Sequence, residues 1–581
     1  VPTGTSVGGT TTINSGTCFR TPADVMRRWR FEDGIDGVDP ATMAPFFERV
    51  EAMLQVGPND RKHLGAIADI VARGADALGW SHEALNRNAP GCDGQGVCCF
   101  GCPTDAKRST NVSYVPAALE RGAMLAHHAR VEEVLLAGGR AVGVVARATH
   151  GKQGRIRVLA KSVVLSGGAL QTPALLLKLG LANSSGLVGH GLTVHPAGSV
   201  HAFFDQAVRG WEGVPQGYGV DQFAAEGIRF EGASLPIDIA APTLPAIGPR
   251  WTDFVDRYDH VATFGYMIAD SSRGRVVLGP NGKPQMLYVV NDYDRRRMLR
   301  AQALLSRLFL AAGASEVLTS IQGVDTLRSV RDVEALEARS ESIGAHRIDT
   351  SAYHPLGTCR MGSDPRRSVV SPTNEAHDVP GLFIVDGSTV NGPLGVNPQV
   401  TIMAMSERAA GFVARRVEGA PVAPPRREPL PEVEFTETMS GTCTFTGEVA
   451  PRDAAFTVRC WAPDKQSMFA RLADAEGSCL TLTGTASIEG LATGRVCTGT
   501  LRMFPKKRVG TLVYDLDFTG DDGVRYHLHG EKSVSAKTVL SGMTTLRTEV
   551  ALADSGVPVA TGTLRFWLKD FFPWLATFRF R

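Results

Sequence analysis

Five prolines within eleven residues, Pro421, Pro424, Pro425, Pro429 and Pro431, constrain this chain more than any other feature. Proline fixes φ and removes a backbone donor, so neither a helix nor a central strand runs through such a stretch. The interleaved Arg426, Arg427 and Glu428 keep it solvated. An extended, semi-rigid spacer is therefore predicted over 419–432, dividing the 581 residues into a long body and a tail. The two sides carry different patterns. In 433–581 short alternating segments carry Val458, Leu480, Leu482, Leu501, Leu512, Tyr514, Leu516, Tyr526 and Leu528, and turns such as Gly520-Asp521-Asp522-Gly523 separate them. That is an all-β domain, either a small barrel or a sandwich.

The body mixes helical and strand periodicity. Phe46–Leu54 and His63–Leu78 read as helices. Ala129–Leu135 and Ala141–Ala146 flank a Gly138-Gly139-Arg140 turn and read as a hairpin. Ser162–Ser166 is apolar throughout, as a buried parallel strand requires, and a helix is predicted from Pro173 to Leu179. Between about 200 and 345 the strands Arg275–Leu278 and Gln285–Val290 enclose a Pro280-Asn281-Gly282-Lys283 turn. A long amphipathic helix follows, from about Asp294 to Ala312, capped by Asn291 or Asp292. Residues 346–418 return to strand–loop–helix order, with Gly381–Asp386 a buried strand and Pro398–Val417 a helix. Two segments, 1–200 and 346–418, thus form one α/β domain with a parallel sheet. Residues 201–345 are an inserted α+β substrate domain.

Charge excludes some functions. The formal net charge is +2 with no long block of one sign, which argues against nucleic acid. No apolar run reaches bilayer-spanning length, and Val1-Pro2-Thr3-Gly4 does not begin a secretory leader, so a cytoplasmic setting is expected. Of ten cysteines, Cys443, Cys460, Cys479 and Cys497 are spread through the tail and read as buried thiols.

Three motifs carry chemistry. Gly8-Gly9-Thr10-Thr11-Thr12-Ile13-Asn14 lets backbone amides approach a planar or phosphorylated ligand. Gly168-Ala169-Leu170-Gln171-Thr172-Pro173 places small residues between a strand and a helix N-terminus. The third is ordered in three parts: Tyr353-His354-Pro355-Leu356-Gly357-Thr358-Cys359-Arg360-Met361-Gly362, then Leu382–Ser388, then Asn397-Pro398-Gln399-Val400-Thr401-Ile402.

Together these resemble the glucose–methanol–choline (GMC) oxidoreductases. The resemblance implies oxidation of a CH–OH group by FAD, with His354 as proton acceptor and Asn397 as its partner on the substrate oxygen. It also implies flavin contacts at Gly8, Gly9, Thr10 and Asn14, at Pro398 and Thr401 for the ring, at Asp386 for the ribityl–pyrophosphate region and at Val131 for the adenine. No strand–Gly-x-Gly-x-x-Gly–helix unit occurs, so the family's N-terminal dinucleotide-binding unit is expected to be missing, by truncation or by loss. An inactive relative that binds lipid or acts as a scaffold is the alternative function.

Cys92-x5-Cys98-x3-Cys102-Pro103 resembles the iron–sulfur segment of flavin-dependent glucose dehydrogenases, but Phe100–Lys107 also resembles long-chain alcohol oxidases, which need no cluster. Structural thiols are the preferred reading. Gly16–Pro22 resembles the long-chain alcohol oxidase branch, and the tail resembles a domain of cholesterol-oxidase-like proteins. Both imply lipid metabolism and a hydrophobic alcohol, sterol or fatty. Oxygen, an electron-transfer protein or a quinone would be the acceptor. Aromatics and arginines from Phe566 to Arg581 suit peripheral membrane contact or a core strand equally.

Overall fold

The computed structural model describes residues 3–151, 154–232, 236–241, 247–419, 433–462, 478–503, 510–533, 544–566 and 579–580. The predicted spacer, beyond Gly419, and nearly all of the C-terminal aromatic segment lie outside the described residues. The chain divides into two compact units, Val1–Arg426 and Arg427–Arg581.

In the first unit one core gathers helices Ala23–Glu32, Pro40–Leu54, Gly168–Leu179 and Gln399–Glu418 around two short strands. These strands, Val163–Leu165 and Leu382–Ile384, pair in parallel with Leu382 opposite Val163. Among the described residues, parallel pairing between strands is confined to them, apart from single bridges at Cys99–Gly101 and Met361–Val370. A three-stranded antiparallel sheet, Ala129–Ala137, Arg140–Ala148 and Arg155–Leu159, extends the expected hairpin by one strand.

A second core lies under a six-stranded sheet. Its order is Glu316–Thr319, Ala197–Phe203, Val261–Ile268, Ile228–Glu231, Tyr218–Val220, His82–Ala84, every pairing antiparallel. Helices Gly65–Leu78 and Asp292–Ala311 join this core. They approach closely because position 74 is glycine: a Cβ there would stand 2.4 Å from the Leu308 carbonyl oxygen. The longer helix starts as expected, with the Asn291 side chain accepting from Asp294 N–H.

The helix predicted from Pro173 begins earlier, at Gly168, and Pro173 sits inside it. Proline cannot bond the carbonyl of residue i−4, and here that carbonyl, of Ala169, accepts instead from Thr358 Oγ1 at 2.7 Å. A hydroxyl from the third motif thus repairs the break in the second.

The second unit resolves the choice between barrel and sandwich. Eight antiparallel strands, Val433–Phe445, Arg452–Ala462, Ser478–Ile488, Ala492–Met503, Thr511–Thr519, Arg525–Ser533, Thr545–Leu552 and Pro558–Arg565, close into a barrel when the first pairs with the last. Alternate residues such as Phe456, Val458, Leu480, Leu482, Leu516 and Leu528 fill the interior. Inside, Lys532 Nζ donates to Glu437 Oε1 at 2.6 Å and Tyr514 Oη donates to Glu437 Oε2 at 2.6 Å, so the buried charges pair. Cys443, Cys460 and Cys497 are buried free thiols as expected, but Cys479 is exposed, because it faces outward on its strand. No helix among the described residues is long and apolar enough to cross a membrane.

Candidate active site

The site begins where the third motif meets the segment leading into Ala197–Phe203. The segment around Leu356 runs antiparallel to Thr193, exchanging Leu356 N→Thr193 O (3.0 Å) and Thr193 N→Leu356 O (3.2 Å). This register sets the half-buried His354 beside His195, a fully buried residue that the sequence reading passed over. His195 holds φ = 49°, an uncommon conformation for a residue with a side chain. Its backbone is fixed by the buried Asp270 carboxylate, which accepts from Val194 N–H (3.2 Å), His195 N–H (3.1 Å) and Tyr288 Oη–H (2.6 Å).

The hydrogen bonds settle the protonation of both rings. His195 Nε2 accepts from the backbone N–H groups of Leu394 (3.0 Å) and Gly395 (3.1 Å). Its own hydrogen therefore sits on Nδ1, 3.1 Å from His354 Nδ1. His354 Nδ1 must accept, which leaves its hydrogen on Nε2. Burial pushes His195 down to about 3. Burial and then the neighbouring His195 hold His354 well below the usual imidazole range. Both rings are neutral at pH 7. A second proton on His354 would bring two N–H groups face to face, so the expected role of His354 as resting proton acceptor does not fit this pairing. It presents a donor.

The Leu394–Gly395 segment leads directly to Asn397, whose buried side-chain Oδ1 has no partner. Against Asn397 lies Glu231, the last residue of Ile228–Glu231, buried and with its Oε2 unpartnered. Burial raises its pKa to about 7, and the side-chain amide of Asn397, the charge of Arg229 and the amide of Gln216 pull the other way. The sequence hid Glu231 because Arg229 and Glu231 alternate with Ile228 and Phe230, the pattern of a strand with one solvated face. Here both faces are covered.

Helix Gln399–Glu418 opens beside Asn397 with Pro398 at its N-cap and no side-chain cap. Its first-turn amides and the unpartnered Asn397 Oδ1 fit the hydrogen-bonding edge of a flavin ring. The glycine-rich loop reaches this helix through Asn14, whose Nδ2 donates to Gln399 Oε1, while Thr401 Oγ1 meets Thr21 Oγ1 at 2.9 Å. Lys107 Nζ pins the loop by donating to the carbonyls of Thr12, Asn14 and Cys98. Gly8 has φ = 94°, and a Cβ there would stand 3.0 Å from Asn111 N. Gly9 begins a short 3-10 turn, and Thr10 is exposed on it.

The residues expected at the ribityl–pyrophosphate region and at the adenine belong to other parts of the fold. Asp386 is buried, and its carboxylate is filled from within the chain: Gly168 N–H (2.8 Å) and Thr172 Oγ1 (2.5 Å) on one oxygen, Ser388 N–H (2.8 Å) and Ser388 Oγ (2.5 Å) on the other. Val131, expected at the adenine, lies at a β-bulge of its strand, opposite Ala146. Cys92, Cys98 and Cys102 are partly buried free thiols of one loop. Two of them are engaged separately: Arg87 Nη2 donates to Cys98 Sγ (3.1 Å) and Lys107 N–H to Cys102 Sγ (3.3 Å).

The N-terminal and C-terminal GMC oxidoreductase family models match residues 1–197 and 270–406. The first match overturns the expectation of a missing N-terminal unit. That expectation rested on one glycine fingerprint, whereas the match runs through the 8–14 loop, the cysteine-rich loop, the 129–148 hairpin and Val163–Leu165. A GMC-type oxidoreductase of Sinorhizobium fredii is 31% identical over 414 residues, 70% of this chain and 80% of that one. One from Mycobacterium tuberculosis is 36% identical over 420 residues, 72% of this chain, which spans 66% of that relative's length. A long-chain-alcohol oxidase of Arabidopsis thaliana is 25% identical, covering 69% of this chain and 57% of its own. Among solved structures, pyridoxine 4-oxidase from Mesorbium loti shares the fold with a TM-score of 0.53 at 19% identity, over 71% of this chain and 84% of that one.

Proposed function

This chain belongs to the GMC oxidoreductase family, and on that premise we propose that it is a flavin-dependent oxidase or dehydrogenase of a hydrophobic alcohol, sterol or long-chain fatty. One chain of contacts carries the reading: His354 meets His195, His195 holds the Leu394–Gly395 segment that leads to Asn397, and Asn397 meets Glu231, beside an uncapped helix N-terminus. The likeness to a long-chain-alcohol oxidase supports the substrate class. Oxygen, an electron-transfer protein or a quinone completes the cycle.

FAD, when bound, supplies the acceptor for the hydride that leaves the carbinol carbon. The chain's own residues manage the oxygen and its proton. His354 Nε2–H donates to the substrate oxygen and orients it. The Asn397 amide, held beside Glu231, fixes the same oxygen from a second side. Glu231 takes the hydroxyl proton, its pKa lying where such transfer is efficient at neutral pH. The low dielectric of the buried cluster strengthens each of these contacts.

The test is anaerobic reduction of the flavin-loaded protein by a long-chain primary alcohol and by a sterol. His354→Ala is expected to slow reduction about 10²-fold with flavin still bound, as loss of one preorganised donor does. Undiminished reduction in that variant removes His354 from the mechanism. Failure of both alcohols to reduce the wild-type flavin removes the substrate class.

The iron–sulfur reading of Cys92, Cys98 and Cys102 is weaker than structural thiols. Their N–H donors would suit thiolate ligands, yet the same bonds hold a loop together without metal. Anaerobically purified protein is expected to carry no stoichiometric iron. Iron and acid-labile sulfide that vanish in Cys98→Ser would restore the cluster.

A further inference from the structure

The outer wall of the barrel carries a cluster unrelated to the flavin chemistry. Strands Thr511–Thr519 and Arg525–Ser533 pair antiparallel, with Asp515 opposite His529 and Asp517 opposite His527. Tyr514, Leu516 and Phe518 on the first, and Tyr526 and Leu528 on the second, point into the barrel. By the two-residue alternation of a strand, Asp515, Asp517, His527, His529 and Glu531 share the outer face. A His-x-His pair on one strand thus faces a carboxylate on the next.

The geometry points to a divalent transition-metal site on this wall, with Asp515, His527 and His529 as its three protein ligands and solvent completing the shell. Asp515 Oδ1 lies 2.7 Å from His529 Nδ1 and 3.4 Å from His527 Nε2, and the three ligand atoms all fall within 4.8 Å of one another. Bonds of about 2.0–2.2 Å in a tetrahedral shell separate ligand atoms by roughly 3.3–3.5 Å. One edge already has that length. The Asp515–His529 edge widens by a fraction of an ångström and the His527–His529 edge, within 4.8 Å, adjusts with it, both within the reach of side-chain rotation on a half-exposed surface.

The surroundings fit a metal site better than a chance pairing of charges. Metal-binding imidazoles use their second nitrogen on a carboxylate or carbonyl, which fixes ring and tautomer. Here His527 Nδ1 meets Asp517 Oδ1 at 2.8 Å and His529 Nε2 meets Glu531 Oε1 at 3.2 Å. Asp515 keeps Oδ1 toward the site because its Oδ2 accepts from Arg502 at 2.7 Å. Every ligand therefore has an orienting partner on the side away from the ion. Either imidazole can give up the N–H that faces the site and keep a hydrogen-bonded one behind. Glu549, opposite His529 on the next strand, adds a fourth carboxylate against Arg502 and Arg547. The face favours a dication. Two imidazoles and one carboxylate select zinc or nickel over magnesium or calcium.

The full chain titrated with Zn2+, and separately with Ni2+, tests this by isothermal calorimetry. The wild type is expected to bind one equivalent more than the His527→Ala/His529→Ala variant. Taking the difference cancels metal held by the cysteines. Asp517→Ala, which removes only an orienting partner, is expected to weaken that equivalent by about 10-fold. Equal stoichiometry in wild type and double variant overturns the site. Displacement of Zn2+ by equimolar Mg2+ overturns the metal class. If the double variant does not fold, His529→Gln alone carries the comparison under the same criteria.

Discussion

Replacing Glu231 by Gln is expected to slow alcohol-dependent flavin reduction by about 10³-fold, the middle of the range for a lost general base. The amide is nearly isosteric and can still meet Asn397 and Gln216, so shape is kept and only the proton acceptor is removed. The pH profile separates this role from a structural one. With a pKa near 7, Glu231 is protonated and inactive below that value, so the wild-type rate should rise through pH 7 and level above it. His195 and His354 are held neutral across the same window and contribute no competing limb. Glu231→Gln should lose the limb. Stability should move the other way. A carboxyl whose folded pKa is raised above its unfolded value gives stability that is full below the unfolded pKa and lost as pH rises through the folded one. At pH 8 the ionised carboxylate costs the fold roughly 3 kcal/mol, a cost the glutamine lacks. A variant that is slow but no less stable at pH 8 is the expected result. An unchanged rate, or an unchanged pH limb, removes Glu231 from proton transfer.

Asp386→Ala is expected to cost about 3–5 kcal/mol of folding stability. Its carboxylate accepts from two backbone and two hydroxyl donors, and all of them would be left without it in the core. Urea denaturation should show the midpoint falling with an unchanged slope. The resemblance to the family implies a different role, contact with the ribityl–pyrophosphate region. In that case the flavin-free protein would keep its stability while flavin affinity fell, and the two measurements tell the roles apart.

The elements legible in the sequence were those with strong local signals. The Asn291 cap, the Gly138-Gly139 and Asn281-Gly282 turns and the apolar run at 163–165 each specify structure within a few residues. His354 and Asn397, the proposed pair, stand out in the sequence as members of an ordered motif. His195 and Glu231 do not, because their importance comes from contacts made at long range. His195 matters through Leu394 and Gly395, some two hundred positions away, and Glu231 through Asn397. Pro173 misled for the same reason: the hydroxyl that rescues its helix comes from Thr358. Local rules read a residue by its neighbours in sequence, and the proposed active cluster is built from neighbours in space.

The closure of the barrel also has a kinetic side. Its first strand, Val433–Phe445, completes its pairing only with segments from the far end of the unit, Pro558–Arg565 and Arg579–Phe580, Ser440 facing Arg565 across nearly the whole length of the unit. Non-local pairings must meet a loop-closure entropy before any contact rewards it, so such topologies fold slowly. During synthesis the opening strand emerges long before its sealing partner exists. Until then one of its edges offers unpaired amides to any other chain nearby. A ribosome-bound chain stopped short of Pro558 should therefore be the most aggregation-prone species this protein passes through, and release of the final strand should end that exposure.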